Sequence, residues 1–146
     1  MTTKNDKRSK VWNISLWVAQ ILLAGMFLMV GVMKTFTPIE ELAKLVPLAA
    51  EMPVLVRFIG VSELAGAIGL ILPAAVRIRP QLTTLAAGAL TFVMVLAMIY
   101  HISKGEYEAI GTNIVLGILA AFIVFGRLNK APISARFSST HVIAEN

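Results

Sequence analysis

The chain has 146 residues, 58% of them hydrophobic and 14% charged, with a mean hydropathy of +0.81, whereas soluble domains carry about 25% charged residues. Disorder and an ordinary soluble globule are thereby excluded, the length suits one compact unit, and the lack of cysteine removes disulfides, thiolate chemistry, iron–sulfur clusters and Cys-ligated zinc. The formal net charge of +5 would suggest nucleic acid in a polar chain, but here the basic residues flank apolar runs, and no nucleic-acid binding is expected.

A transmembrane helix needs about 20 apolar residues to cross a hydrocarbon core about 30 Å thick. The first such segment, Trp12 to Met33, carries no charge. A basic stretch precedes it, as in a signal peptide. Its apolar run far exceeds the about 7–15 residues of such peptides and no small-residue cleavage site follows, so an uncleaved helix is expected. Next comes Thr37-Pro38-Ile39-Glu40-Glu41-Leu42-Ala43-Lys44-Leu45-Val46. A Thr cap, Pro at the first helical position and Glu three residues after the cap predict a short helix. Ile39, Leu42, Leu45 and Val46 recur at helical spacing, so it should lie flat in the interface, as a cap on the bundle or as a lid.

The second segment, Val54 to Leu72, is bracketed by Pro53 and Pro73 and contains Arg57 and Glu63. The third runs from Gln81 to Tyr100. The fourth, from about Ile110 to Phe125, is short and is expected to start nearer Tyr107, giving spans of 12–33, 54–72, 81–100 and 108–126. The expected fold is an all-α integral membrane four-helix bundle over residues 1–128 with a short interfacial helix between the first two spans. Residues 129–146 gain Ser, Thr and Pro and read as a cytoplasmic tail, with His141 solvated in it.

Lys4, Lys7, Arg8, Lys10, Arg77, Arg79, Arg127, Lys130 and Arg136 flank one side, against Lys34, Lys44 and Lys104 on the other. Basic residues stay cytoplasmic. Both termini are therefore expected in the cytoplasm of a multi-pass inner (plasma) membrane protein. Trp12 and Trp17 near one face, and Tyr100 and Tyr107 near the other, occupy interfacial positions.

Ionisable side chains inside a bilayer are costly and therefore informative. Arg57 lies about one turn below the outer surface, within reach of headgroups. Glu63 sits about 14 Å deep, near the midplane, too short to snorkel. Inserting it charged costs about 2.5–3.5 kcal/mol, and protonating it at pH 7 from a pKa near 4.3 costs about 3.7 kcal/mol. It needs a partner.

Gly60, Gly66 and Ala67 share its helical stripe, and small residues mark a packed interface. Val54, Val61, Ile68 and Leu72 fall opposite, toward lipid. On the first span Gln20, Ala24, Phe27, Gly31 and Lys34 form another inward stripe. Lys34 and Arg57 are thus the expected counter-charges for Glu63. His101, on a stripe with Met94, Ala97 and Met98, and Asn113, on a stripe with Leu116, Gly117 and Ala120, reach the same level. Lys34, Arg57, Glu63, His101 and Asn113 therefore form either a small polar pocket in the outer half of the bundle or a network that fixes helix register.

One membrane-level His is too few for bis-His haem, and no HExxH or comparable ligand set suggests zinc. Ser62 has no His beside it to activate it as a nucleophile. Small-residue pairs such as Ser62 and Gly66, Ala65 and Gly69, or Gly117 and Ala121 signal close packing or homo-oligomerisation.

Gly31-x-x-Lys34 closing the first span, Arg57-x-x-Gly60-x-x-Glu63-x-x-Gly66 in the second and Ala97-x-x-x-His101 closing the third together resemble the DoxX-like family. The resemblance covers roughly Trp12 to Arg127, including the Thr37 to Leu42 stretch and the turn from Pro73 to Pro80. It implies a four-helix membrane protein. The family takes its name from a subunit of a thiosulfate:quinone oxidoreductase, other relatives partner membrane redox enzymes, and a eukaryotic branch resembles a receptor-assembly chaperone. By resemblance, Lys34, Arg57, Glu63 and His101 are marked, with no agreed catalytic machinery to transfer.

The expectation is a subunit or anchor of a quinone-linked redox system. It would hold no covalent cofactor, with a quinone as ligand and the bilayer and a membrane or peripheral redox protein as partners. His101 and Glu63, with ordinary pKa values of about 6.5 and about 4.3, would relay protons. A non-catalytic scaffold or assembly chaperone is the alternative. A small-solute transporter ranks last, since no inverted repeat or broken helix announces one.

Overall fold

A computed structural model describes residues 4–136. Six helices follow in chain order: α1 (Lys4–Phe36), α2 (Ile39–Leu45), α3 (Leu48–Glu51), α4 (Pro53–Val76), α5 (Gln81–Lys104) and α6 (Tyr107–Asn129). No strand occurs among the described residues. The helices α1, α4, α5 and α6 are each long and apolar enough to cross a membrane. They alternate in direction, and each packs on the next, with α6 returning to α1 to close the ring. The turns define two ends. The start of α1, the α4–α5 turn and the end of α6 form the basal end; α2, α3 and the α5–α6 turn form the crown.

Burial follows the sequence stripes. Ala19, Leu23, Ala24 and Phe27 of α1, Ala67 and Leu70 of α4, Ala87, Leu90 and Met94 of α5, and Leu116, Ala120 and Ile123 of α6 make one central core. Val54, Val61, Ile68 and Leu72 are exposed, as are Ile21, Met29, Leu85 and Ile118. In a water-soluble bundle such a surface would aggregate; around a membrane bundle it faces acyl chains.

Three boundaries differ from expectation. The helix α1 starts at Lys4 rather than Trp12, because Lys7, Arg8 and Lys10 are good helix formers and charged turns beyond the apolar run need no burial; Asp6 to Lys10 are exposed. Pro73 lies inside α4 rather than ending it, since a proline forfeits one backbone donor and a packed neighbour can hold the helix through it. The true stop is Arg77, in the left-handed region at φ 57°.

Thr37 does not cap α2. Its N–H continues α1 by donating to Met33 O at 3.1 Å, and Pro38 occupies the cap position. Leu42 of α2 is buried with Ala49 of α3 and Val56 of α4, while Leu45 is exposed. The crown is therefore two short helices folded onto the α1–α4 corner. His141 lies outside the described residues.

Candidate functional site

At the crown, α1 ends with open backbone carbonyls, as every helix does. Arg57, one turn into α4, answers them: Nη1 donates to Lys34 O at 2.6 Å and Nη2 to Thr37 O at 2.5 Å. The guanidinium is thus bound to the end of α1. Two turns deeper, the Lys34 ammonium donates to Glu63 Oε1 at 2.6 Å. Glu63 is 2% exposed, and its other oxygen, Oε2, has no hydrogen-bond partner.

Gly60 sits between Arg57 and Glu63 on the same α4 stripe. A β-carbon there would come within 2.8 Å of Lys34 Cβ and of Thr35 Oγ1. Glycine therefore lets α1 approach closely enough for the ammonium to reach the carboxylate. Gly31 does the same from the α1 side, where a β-carbon would meet Gly60 O at 3.0 Å.

Of the expected counter-charges for Glu63, Lys34 is in place and Arg57 is engaged elsewhere. His101 is also engaged elsewhere. Its Nδ1 lies 2.7 Å from Glu106 Oε2 across the α5–α6 turn, where Gly105 takes a left-handed φ of 73° and lets the chain double back. Lys104 pairs with Glu51 of α3, tying that turn to the other half of the crown. Asn113, one and a half turns into α6, has a buried Nδ2 with no partner. Lys34, Arg57 and Glu63 are thus brought into one contact set, while His101 and Asn113 occupy the same half of the bundle on α5 and α6. Together with Asn113, the set can do two chemical things. It holds a charge pair in an apolar interior, and it leaves one carboxylate oxygen and one amide nitrogen without partners.

Sequence reasoning assigned Arg127 to topology alone, but it is 4% exposed. Its Nε donates to Gln20 Oε1 at 2.7 Å, and Nη1 donates to Asn13 Oδ1 at 2.7 Å and Ala131 O at 3.2 Å. Its guanidinium carbon lies 5.6 Å from the centroid of the Trp17 ring. Gln20 in turn donates to Leu70 O at 2.6 Å. One polar chain thereby joins α4, α1 and α6 at the basal end. The available signal was Gln20 on an inward stripe, with only Ala24, Phe27 and Gly31 between it and Lys34.

Replacing Arg127 with Met should cost about 1–3 kcal/mol, because the fully buried Gln20 loses its donor. Release of the desolvated cation places the value toward the lower end of that range. Reversible unfolding in a denaturing detergent measures it, with Lys10→Met, on an exposed turn, staying within about 0.5 kcal/mol of the parent.

An open apolar hollow of about 570 Å³ at the crown is lined by Met52, Pro53, Val54, Leu55 and Phe58; it borders none of the polar groups above. Among the described residues no cluster of three or more His, Cys, Asp or Glu could hold a metal ion.

The chain matches no curated protein and no solved structure. The model of the DoxX-like family matches residues 18–123, a stretch that takes in Lys34, Arg57, Glu63, His101 and Asn113 and stops short of Arg127. With that match and four apolar helices closed into a bundle, the chain belongs to the DoxX-like family and is a multi-pass membrane protein.

Proposed function

We propose that the protein is the membrane subunit or anchor of a quinone-linked redox system, and that the crown half of the bundle holds a small hydrogen-bonding ligand soluble in the bilayer. The observation that carries this reading is Glu63, a buried carboxylate with one oxygen on Lys34 and the other without a donor. Buried polar atoms are nearly always satisfied, so an orphan oxygen in an apolar bundle is a place for a ligand group. Asn113 Nδ2 is an orphan donor in the same half. An acceptor and a donor are what the hydroxyl and carbonyl forms of a quinone engage.

A quinone, when bound, carries two electrons and two protons between partners. The chain's own share of that work concerns protons. Glu63 Oε2 can accept one while Lys34 holds the other oxygen, and His101 with Glu106 forms a partly exposed pair at the rim that can pass protons to water. Electrons come from a separate redox protein, because the chain has no cysteine to hold a redox cluster. The same reading places both termini in the cytoplasm of the inner membrane, since basic residues crowd the basal end.

Extraction of the protein purified from its membranes should yield quinone, and Glu63→Gln should lose it while remaining folded. If no quinone is found and Glu63→Gln with His101→Ala leaves cellular redox activity intact, the reading fails. The second reading, a scaffold or assembly chaperone, is favoured by Arg57 and Arg127, each of which hydrogen-bonds to a neighbouring helix. On that reading Glu63→Gln lowers activity only as far as it lowers stability, and no quinone is extracted from the parent protein.

A further inference from the structure

The α4–α5 turn at the basal end holds an arrangement that helix packing and topology leave unexplained. Arg77 and Arg79 both adopt left-handed backbone conformations, at φ 57° and 48°. Glycine takes such conformations at no steric cost, yet both positions are arginine. The segment after α6 folds back onto this turn: Arg136 N donates to Arg77 O at 2.9 Å, and Arg77 Nε donates to Ser134 O at 3.0 Å. Between turn and segment lies a cavity of about 330 Å³, lined by Arg77, Ile78, Arg79, Pro80, Gln81, Ile133 and Ala135.

We propose that this cavity binds the headgroup of an anionic phospholipid, with its phosphate at Arg77 and Arg79 and its glycerol region against the apolar walls. Four observations carry the assignment. The turn joins two membrane-spanning helices, so the cavity opens at the depth where headgroups lie. Its charged lining is two guanidiniums, the side chains best suited to phosphate. Every ion pair among the described residues is at the crown, and the only acidic residue described at the basal end is Asp6, so no carboxylate is recorded on either arginine. Ile78, Pro80, Ile133 and Ala135 give the cavity apolar walls that a free phosphate ion cannot use and a glycerol ester can. A zwitterionic headgroup brings an ammonium with its phosphate, for which the lining offers no anion.

A basic residue placed only for topology needs charge on one side of the membrane. It needs neither a left-handed backbone nor a segment strapped across it. The two explanations therefore separate by experiment.

The full chain in nonionic detergent is titrated with short-chain phosphatidylglycerol, phosphatidylcholine or inorganic phosphate, with bound lipid read by native mass spectrometry and by thermal stabilisation. Phosphatidylglycerol should bind and stabilise, and the other two should not. Each arginine near a headgroup contributes about fivefold in affinity. Arg79→Gln should therefore weaken binding about fivefold, and Arg77→Gln with Arg79→Gln about thirtyfold. Arg79 has no recorded side-chain hydrogen bond, so the single variant folds even if loss of the Arg77 contact to Ser134 loosens the double one. Lys7→Gln with Arg8→Gln, in the exposed first turns of α1, should leave binding unchanged. Equal binding of phosphatidylcholine, equal stabilisation by inorganic phosphate, or equal weakening by the Lys7 and Arg8 changes would each overturn the proposal.

Discussion

Replacing Lys34 with Met is expected to lower stability by about 3–4 kcal/mol, the lower part of the range for a buried ion pair deprived of one partner. Glu63 lies ten residues into α4, about 15 Å below the crown at 1.5 Å per residue, and its side chain is too short to reach water. Without Lys34 the carboxylate must stay charged in an apolar core or take up a proton. At pH 7 the second option costs about 3.7 kcal/mol from an ordinary pKa near 4.3, which caps the loss near that figure. Glu63→Gln is expected to cost less, about 1–3 kcal/mol, because the amide still accepts from Lys34, and the Lys34 stem can carry its ammonium toward the headgroups. The double variant Lys34→Met, Glu63→Gln should recover much of the single Lys34 loss. Unfolding in a denaturing detergent across the four-member cycle measures the coupling. Additive losses, with no recovery in the double variant, would show that the two side chains do not depend on each other.

Gly60→Val should cost about 3 kcal/mol, the upper part of the usual range for overpacking. The obstruction is a matter of which atoms a new side chain meets. A β-carbon at Gly60 approaches Lys34 Cβ at 2.8 Å and Thr35 N at 3.1 Å. Neither can swing aside, since both are fixed to the α1 backbone. The helices must part, and parting them lengthens the ion pair as well. Gly25→Ala is the comparison, because a β-carbon there meets nothing within 4 Å; its effect should be neutral or slightly stabilising through helix propensity. The same unfolding measurement decides, and equal effects at the two glycines would dispose of the close-approach argument.

The spans themselves were legible because bilayer thickness converts directly into run length. The Lys34–Glu63 contact was legible for a related reason: depth along a helix and the side on which small residues cluster are both readable from spacing. What spacing could not supply was competition among partners. Arg57 had a choice between a carboxylate and the bare carbonyls ending α1, and the carbonyls lie at its own level, whereas Glu63 is nearly two turns further along α4. His101 had a choice between the bundle interior and Glu106, five residues on, and the tight turn at Gly105 favours the local partner. Arg127 was hidden more thoroughly. A basic residue at a helix end satisfies topology whether it points to water or inward, and only the return of α6 to α1 shows which.

That return bears on how the protein is made. Gln20 donates to Leu70 O on α4 and accepts from Arg127 on α6, so it joins the second span to the fourth. While the ribosome is still delivering α6, the Gln20 carbonyl and the Asn13 amide have no guanidinium to receive, and one flank of the nascent assembly stays open to lipid. Completion is then signalled chemically: the arrival of a single cation on the fourth span turns an open row of helices into a sealed ring.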